Sequence, residues 1–354
     1  MRSVVLIFKL ILFLVAMIAL VLGILILYAT VTNYEPEELT KESPIGNGNA
    51  KIEKTELSFL IWNLGFCGLG AESDFFYDGG EMVIPPRKNV DKNYAGEEQF
   101  LKTMDDVDFI MLQEVDFDSK RSHYINVKEL LGKAFPNRNL CTALNYNVQY
   151  IPVPFTWPMG KVNSGLMTMT PYKSTENTRY QFPGNFGWPK NLFFLDRCFL
   201  LQRFPVKDGK DLIIINTHNS AYDDGSLKAK QMEYLKNVLE TEYKKGNYIV
   251  VGGDWNQLPP GFDPSIFDKP GQDKKVHERA IDFDYMPEGW TWAYDPRVST
   301  NRKLNKPYDK MKTKTTLIDF YLLSPNLKIQ SIQGYDLDYQ FTDHQPVRMG
   351  VELL

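Results

Sequence analysis

An uncharged apolar run near the amino terminus constrains this chain more than any other feature of its sequence. The run extends from Leu10 to Val31 and reads LILFLVAMIALVLGILILYATV. As a helix rising about 1.5 Å per residue it is roughly 33 Å long, which is enough to cross the hydrocarbon core of a bilayer. We therefore predict one transmembrane helix over residues 10–32.

A cleaved signal peptide is the main alternative for this segment. The apolar region of a signal peptide usually has about 7–15 residues, and no clean small-x-small cleavage site follows the run here. An uncleaved anchor is therefore favoured. Arg2 and Lys9 precede the run, whereas three glutamates follow it between residues 35 and 38. Because the Lys/Arg bias sets orientation, residues 1–9 are predicted to be cytoplasmic and the remainder of this single-pass chain extracytoplasmic.

The rest of the chain divides into a short polar segment and one large domain. Residues 33–56 contain Pro, Gly and Asn and are predicted to form a flexible linker, whereas residues 57–354 show no second linker or internal repeat. A formal charge of −4 gives no overall positive field to hold nucleic acid, which argues against a processive nuclease. Cys67, Cys141 and Cys198 are irregularly spaced and are predicted to be buried thiols, although one disulfide remains open.

Short apolar runs bounded by turn-forming residues predict the strands of this domain. They are Leu57–Trp62, Val107–Leu112, Ser164–Met169, Asp211–Asn216, Tyr248–Gly253 and Leu317–Leu323. Helical periodicity predicts one helix from Ser226 to Gly246 and a second from Ser122 to Ala134. Helices separate some strands while other strands follow one another directly, so the pattern indicates two packed sheets with helices outside.

Polar residues concentrate within or just after these apolar strands. They are Asn63, Glu114, His218, Asp254, Asn256 and Asp319. Because a buried carboxylate is costly unless it is paired or holds a metal, a ring of such groups at strand ends predicts a bound cation. Oxygen and amide ligands without cysteine suit Mg²⁺ or Mn²⁺ better than zinc. A further histidine, His344, directly follows Asp343, so an acidic group is available beside it.

Six stretches carry a resemblance to a known family. They are LSFLIWNLG (57–65), FIMLQEVD (109–116), LIIINTHNS (212–220), VVGGDWNQLP (250–259), LIDFYLLSP (317–325) and FTDHQPV (341–347). In this order they resemble the successive motifs of the endonuclease/exonuclease/phosphatase superfamily. The resemblance implies an α+β fold, a four-layer α/β/β/α sandwich of two mixed sheets with outer helices. It also implies magnesium-dependent cleavage of a phosphate ester by water.

The resemblance assigns a metal-binding and water-activating role to several of these residues. Glu114 is similar to the main metal carboxylate of the family, and Asn63 assists the ion or the phosphate. The resemblance gives Asp343 two possible roles, as a ligand of the metal and as a catalytic residue. Asp254 resembles the residue that orients or deprotonates the attacking water, and Asn256 would hold a non-bridging oxygen through its amide.

The remaining assignments concern the two histidines. His344, paired with Asp343, is similar to the histidine at the scissile phosphate, where a charged imidazole stabilises the transition state or transfers a proton. His218 matches family members with a histidine at this strand end and would protonate the leaving oxygen. Asp319 resembles the carboxylate that positions a histidine or a metal-bound water. The sequence does not decide which of these two groups Asp319 positions. It also does not identify the carboxylate that pairs with His218.

Other polar and aromatic segments have two interpretations each. The proline-rich stretches Tyr146–Gly160 and Tyr180–Phe194 are predicted to be loops, which either touch substrate or lipid or cover a satellite core. The basic run from Arg302 to Lys314 either steers an anionic substrate or is simply solvated. His123 and His277 lie outside any motif and are assigned to the surface.

These features predict a membrane-anchored, metal-dependent phosphoesterase. The preferred substrates are phosphodiesters of a lipid headgroup or a small molecule, with DNA or RNA cleavage as the first alternative. The other alternative is a catalytically inactive family member that binds a ligand at the same place. The predicted partners are the phosphate-ester substrate and the membrane through the N-terminal helix, with no protein partner predicted.

Overall fold

The computed structural model describes residues 2–207, 209–221, 225–270, 272 and 278–354. Within these residues there are four α-helices, namely α1 (Arg2–Val31), α2 (Arg87–Thr103), α3 (Val127–Ala134) and α4 (Ser226–Lys244). The strands of the same residues are β1 (Leu39–Lys41), β2 (Ile45–Gly46), β3 (Glu56–Asn63), β4 (Phe109–Asp116), β5 (Asn139–Ile151), β6 (Gly160–Thr170), β7 (Glu176–Gln181), β8 (Cys198–Pro205), β9 (Asp211–His218), β10 (Tyr248–Asp254), β11 (Thr291–Ala293), β12 (Asn301–Arg302), β13 (Thr315–Thr316), β14 (Asp319–Leu323), β15 (Leu327–Gly334) and β16 (Val347–Leu353).

Among the described residues these strands form two seven-stranded mixed sheets and one small ribbon. The first sheet has the order β1-β7-β8-β9-β10-β14-β11, and the second has the order β15-β16-β3-β4-β6-β5-β2. Each sheet has one parallel pair near its centre, β9 with β10 in the first and β3 with β4 in the second. Strands β12 and β13 form the separate ribbon.

The two sheets pack face to face with helices outside them. Alternate side chains of β3, such as Phe59 and Ile61, point into a core shared with Ile214 and Val250 of the other sheet. On the opposite face of the second sheet, Leu60 lies in a different core, which includes residues of α2 and α3. Helix α4 covers the outer face of the first sheet in a third core. The protein is therefore a four-layer α/β/β/α sandwich preceded by an apolar helix.

The predicted strands are all present, and the helix predicted from Ser226 is α4. The helix predicted from Ser122 is wrong at its start, because α3 begins only at Val127. Asn126 caps that helix, and its side-chain oxygen accepts a hydrogen bond from the backbone N–H of Glu129 at 3.0 Å. The three cysteines are buried free thiols.

Two segments predicted to be irregular contribute strands. Strand β5 continues through the first aromatic stretch as far as Ile151, so only residues 152–159 form the hairpin loop there. The predicted linker, residues 33–56, adds β1 beside β7 and β2 beside β5. Both added strands are short and occupy sheet edges, where backbone hydrogen bonding needs no apolar periodicity.

Helix α1 is long and apolar enough to cross a membrane, and the most apolar part of it is not buried by the rest of the protein. Only at its end does it meet the sandwich, where Ala29 is buried. This burial pattern differs from that of a core helix in a soluble domain, which loses most of its apolar surface to protein.

Candidate active site

Sheet register brings the polar strand ends together at one edge of the sandwich. In the first sheet Asp254, the last residue of β10, pairs with His218 of β9 on one side and with Asp319 of β14 on the other. In the second sheet Asn63 ends β3 and pairs with Gln113, the residue before Glu114. Because β3 and β4 are parallel, as are β9 and β10, the carboxyl ends of each pair lie side by side. A contact of 3.1 Å between Asn63 and Asp254 brings the two pairs together at one edge.

Backbone irregularities aim the site residues. Glu114 has a φ of +51° and lies in a β-bulge of the β4–β6 ladder, between the paired residues Leu112 and Val115. Asn256 has a φ of +50°. Non-glycine residues in the left-handed region are uncommon and cluster at functional sites. Gly253 is required for a different reason, since a Cβ there would lie 2.0 Å from the carbonyl oxygen of Thr217.

Asn63 links the two sheets through its side chain. Its Oδ1 accepts the backbone N–H of Gly65 at 2.9 Å, so its amide nitrogen faces the site. That nitrogen donates to Asp254 Oδ2 at 3.1 Å and to Glu114 Oε1 at 3.4 Å. The contacts therefore favour a residue that positions two carboxylates, rather than direct coordination of a metal through the amide oxygen.

Asp254 is buried at the centre of the cluster. Its Oδ1 accepts the backbone N–H of Asn256 at 2.9 Å, while its Oδ2 lies 3.4 Å from His218 Nε2. Burial raises the pKa of Asp254 to about 6, with a further contribution from repulsion by Asp319. A carboxylate with this pKa is ionised near neutral pH yet more basic than an ordinary aspartate, which suits a group that accepts a proton from water.

His344 is held by a buried carboxylate behind it. Its Nδ1 lies 2.8 Å from Asp319 Oδ2, and its Nε2 lies 3.8 Å from carboxylate oxygens of both Asp254 and Asp343. Burial alone would lower the pKa of His344, but the surrounding carboxylates, Asp319 foremost, raise it well above its usual value. The predicted pairing of His344 with Asp343 is thus replaced by a closer pairing with Asp319.

His218 has the opposite environment. Its Nε2 faces Asp254, and its Nδ1 is buried without a hydrogen-bond partner among the described residues. Burial lowers the pKa of His218 well below its usual value, and repulsion from Arg197 and His344 lowers it further. His218 is therefore neutral near pH 7, which argues against its predicted role as the proton donor to the leaving oxygen.

Asp343 and Glu114 are the carboxylates best placed for a cation. Burial raises the pKa of Asp343 to about 7, and the nearby negative charge of Glu114 contributes to that rise. Both side chains line the same open cavity. Two carboxylates whose charges repel across the same cavity fit a hard divalent ion, which would neutralise that repulsion.

A second acidic and imidazole cluster fits a metal less well. Among the described residues, ligand atoms of Asp254, Asp319 and His344 all lie within 4.8 Å of one another. However, the Nδ1 of His344 is already engaged by Asp319, and a protonated imidazole has no lone pair to give to a metal. This cluster is better described as a charged histidine between aspartates.

The cavity at this edge has a volume of about 1030 Å³. Most residues of the predicted site line it, namely Glu114, His218, Asp254, Asn256, Asp343 and His344. Asp319 lies behind His344 and does not line the cavity. The Nδ2 of Asn256 donates to the carbonyl oxygen of Asn219 at 3.0 Å, which fixes the amide at the rim.

Sequence reasoning missed Asn301, whose side-chain amide lies 2.9 Å from His344 Nε2. A protonated Nε2 can only donate, so the amide must present its oxygen to the charged ring. Asn301 follows no apolar strand, so the strand-end pattern could not find it. The one sequence feature that could have indicated it is its position directly before the basic run. Arg197 also lines the cavity.

Neither of the two histidines outside the motifs is among the described residues of the site. His123 is half-buried elsewhere, with its Nε2 2.7 Å from the carbonyl oxygen of Pro85. His277 lies outside the described residues.

Comparison with known proteins gives the family. The model of the Endonuclease/Exonuclease/phosphatase family matches residues 60–344, and the chain belongs to that family. Members of the family are hydrolases that act on phosphate esters, generally with a divalent metal. A search of curated proteins found no match.

Solved structures show the same fold at low sequence identity. The chain is similar to an endonuclease/exonuclease/phosphatase from Beutenbergia cavernae, with a TM-score of 0.56 and 14% identity over 85% of this chain and 72% of that one. It is similar to ANGEL2, a 2′,3′-cyclic phosphatase, in complex with adenosine-2′,3′-vanadate, with a TM-score of 0.54 and 15% identity over 89% and 99% of the two chains. It is also similar to D. rerio TDP2 complexed with a single-strand DNA product, with a TM-score of 0.52 and 14% identity over 84% and 100%.

Proposed function

We propose that this protein is a membrane-anchored, divalent-metal-dependent phosphodiesterase in which water attacks phosphorus in line. The observation that carries the proposal is the convergence of Glu114, Asp254, Asp343 and His344 on one cavity. The family membership supports phosphoester hydrolysis in general. The dependence on a metal and the preference for a phosphodiester bond go beyond the family membership and are proposed here from the site.

Glu114 and Asp343 would hold Mg²⁺ or Mn²⁺, which would supply positive charge to the phosphate oxygens. Asp254 would orient the attacking water and accept its proton, because its raised pKa makes it a better base than an ordinary aspartate. Asn63 would hold Glu114 and Asp254 in place through its amide nitrogen.

His344 would stabilise the negative charge that develops on the phosphate. Asp319 at its Nδ1 keeps the imidazole protonated and oriented, so that the opposite nitrogen, Nε2, faces the cavity. A protonated imidazole is also able to give its proton to the leaving oxygen. His218 and Asn256 would complete the site, His218 as a neutral partner of Asp254 and Asn256 as an amide donor to a non-bridging oxygen.

Substrate preference is proposed from the cavity wall and the anchor. Lysines of the basic run line the cavity on one side, namely Lys303, Lys306, Lys312 and Lys314, which favours an anionic substrate. Arg302 of the same run is buried, and its guanidinium donates to carbonyl oxygens of Leu69, Gly70 and Ser73, so it supports the wall rather than binding substrate. A phosphodiester with an anionic headgroup, in a lipid or a small molecule, fits best.

Nucleic acid is the second candidate, because the same lysines would attract a polyanion. TDP2 was solved with a single-strand DNA product, and ANGEL2 with an adenosine-2′,3′-vanadate. The rival of another class is an inactive binding module. The presence of every carboxylate and histidine expected of the site argues against it.

Helix α1 is proposed as an uncleaved single-pass anchor, with residues 1–9 in the cytoplasm and the catalytic domain, residues 57–354, outside it. The lack of burial along the helix supports the anchor, and the placement of Arg2 and Lys9 before it supports this orientation.

The test is an assay of the full chain in detergent with and without Mg²⁺. The substrates are bis(p-nitrophenyl) phosphate, sphingomyelin, a phosphoinositide and single-stranded DNA. We expect Mg²⁺-dependent release of product that is lost in Glu114→Gln and kept in Glu129→Gln, an exposed glutamate of α3. Turnover that is equal in wild type and Glu114→Gln would contradict the assignment. Binding without turnover in the presence of Mg²⁺ or Mn²⁺ would favour the inactive module.

A further inference from the structure

Three large aromatic side chains project from two neighbouring loops. Phe155 and Trp157 are 74% and 62% exposed on the β5–β6 hairpin loop, and Trp188 is 66% exposed just before the short 3₁₀ turn Lys190–Phe193. Grouped exposed aromatic residues on a soluble surface usually mark a contact surface, because their burial is strongly favourable.

The loops that carry these rings are themselves well packed. Val153 and Met159 of the hairpin loop lie in one apolar cluster with Phe193 and Leu195 of the second loop. The hydroxyl of Tyr146 donates to the carbonyl oxygen of Phe193 at 3.1 Å, which joins the two segments. The exposed rings therefore stand on a fixed base, and their exposure does not come from a loose loop.

The end of helix α1 is seated against the same two segments. Ala29 is 6% exposed, and together with Thr32 it lines a small crevice whose other wall includes Val148, Tyr150 and Leu192. Tyr150 lies five residues before Phe155, and Leu192 lies four residues after Trp188. The two segments that carry the exposed aromatic rings therefore also form the seat of the end of the apolar helix.

The catalytic edge lies on the same side of the sandwich. In the second sheet Asn147 of β5 pairs with Asn163 of β6, and the next residue of β6, Ser164, pairs with Asp116 of β4. Asp116 lies two residues after Glu114. Because adjacent strands are about 4.8 Å apart, the seat of the helix lies roughly 10 Å across the sheet from the strand that carries Glu114.

We propose that Phe155, Trp157 and Trp188 insert into the interface of the bilayer that holds helix α1, and that they turn the catalytic edge towards the lipid surface. Tryptophan favours the membrane interface because its ring is apolar and its N–H is polar. Lys120 lies 5.7 Å from the ring centroid of Trp157, and Lys190 lies close to the ring of Phe186, so cationic groups accompany the aromatics where lipid phosphates would be. This inference rests on the membrane anchor of the proposed function but not on catalysis.

The experiment uses tryptophan fluorescence of the full chain, reconstituted in phosphatidylcholine vesicles with or without bromine on the acyl chains. Bromine quenches only tryptophans that lie close to the chains. Of the four other tryptophans, Trp62 and Trp255 are fully buried, and Trp290 and Trp292 are partly buried against the core beneath α4, on the first sheet. We expect wild type to lose more emission in brominated than in plain vesicles, and the double variant Trp157→Phe, Trp188→Phe to lose that difference.

The matched control places a reporter on the far side of the molecule. Lys328→Trp, made in the double variant, lies on β15 at the opposite edge of the second sheet and should show no quenching. Flotation of the same vesicles reports the anchor separately. Wild-type protein that floats without quenching at positions 157 and 188 would overturn the inference, because the rings would then face water or a protein partner. Protein that fails to float would contradict the anchor as well, whatever the hydrolytic activity.

Discussion

The two histidines of the catalytic edge lie against the same carboxylate but in opposite electrostatic surroundings. His344 and His218 place a ring nitrogen 3.8 Å and 3.4 Å from Asp254 Oδ2. Behind His344 is Asp319, which raises its pKa, whereas the far nitrogen of His218 is buried without a partner among the described residues. Burial lowers the pKa of His218, whereas at His344 the surrounding carboxylates, Asp319 foremost, outweigh the effect of burial and raise the pKa.

This difference divides the chemistry between the two sides of the site. A protonated His344 suits charge stabilisation and proton donation, and a neutral His218 suits positioning of Asp254.

Removal of the charged imidazole should have the largest effect. We expect His344→Ala to lower kcat/KM by about 10³-fold, because a preorganised donor to a developing oxyanion contributes on that order. The measurement is Mg²⁺-dependent hydrolysis of bis(p-nitrophenyl) phosphate. His123→Asn is the control, since His123 lies outside the cavity and asparagine tolerates its left-handed backbone. A loss in His344→Ala no greater than in this control would remove His344 from the mechanism.

Asp319 should act through His344. We expect Asp319→Asn to lower kcat/KM by about 10- to 100-fold, because the group behind a functional imidazole tunes its orientation and basicity. The amide keeps the size of the side chain but removes its charge, so the pKa of His344 should fall. Activity of Asp319→Asn should therefore decline at a lower pH than activity of wild type.

The pH profile distinguishes a role of Asp319 in keeping His344 protonated from a purely structural role in the fold. An unchanged descending limb in Asp319→Asn would show that Asp319 does not hold the proton on His344. The double variant with His344→Ala should lose little beyond the single His344→Ala variant, because residues that act as one unit are not additive.

His218 should matter less. We expect His218→Gln to lower kcat/KM by about tenfold, since it removes the ring nitrogen that lies 3.4 Å from Asp254 Oδ2, and a lost contact with a charged group is worth at least roughly 1.5 kcal/mol. The descending limb of the pH profile should stay where it is in wild type. A larger loss than in His344→Ala would reverse the proposed division between the two histidines.

The smallest expected effect is on the pH dependence of the free energy of unfolding. The two histidines contribute to that dependence with opposite signs. The folded-state pKa of His218 is below that of the unfolded chain, so its protonation favours unfolding as the pH falls below about 6.5. The folded-state pKa of His344 is raised, so its contribution is fully present below about 6.5 and is lost as the pH rises through the folded pKa.

Thermal unfolding in chelator measures these signs. Between pH 7.5 and 5.5 His218→Gln should lose less stability than wild type, and His344→Gln should lose more. Each difference is at most about 1.4 kcal/mol per pH unit for one proton. Differences of the same sign in both variants would contradict the opposite surroundings of the two rings.

Much of the fold was predictable because the strands are apolar and end in polar residues. Asn63 and Asp254 stand directly at the ends of such strands, so their convergence at one edge followed from the pattern. The edge strands β1 and β2 were not predictable, since short polar segments become strands only when a sheet edge is available. The first turn of the predicted helix at Ser122 failed because Asn126 provides a better cap.

Within the site, residue identity was easier to predict than pairing. The pairing of His344 with Asp319 depends on the register of β10 with β14 and on the path of the loop before β16, neither of which is written in a local pattern. The same holds for Asn301, which reaches His344 from the small β12–β13 ribbon. The proton state of His218 depends on burial by residues from several elements, so sequence alone indicated a donor where the structure favours a neutral ring.

Glu114 and Asp343 are proposed to hold a hard cation beside Asp254 and His344, and the rest of the mechanism depends on that cation. The most direct measurement is thermal unfolding of the chelator-treated full chain in detergent, with and without Mg²⁺. Binding to the folded state alone raises stability by about 2.7 kcal/mol at 100 times the Kd, so the Tm of wild type and of Glu129→Gln should rise. The rise should be lost in Glu114→Gln and in Asp343→Asn. A rise of equal size in all four proteins, or none in wild type, would contradict the claim.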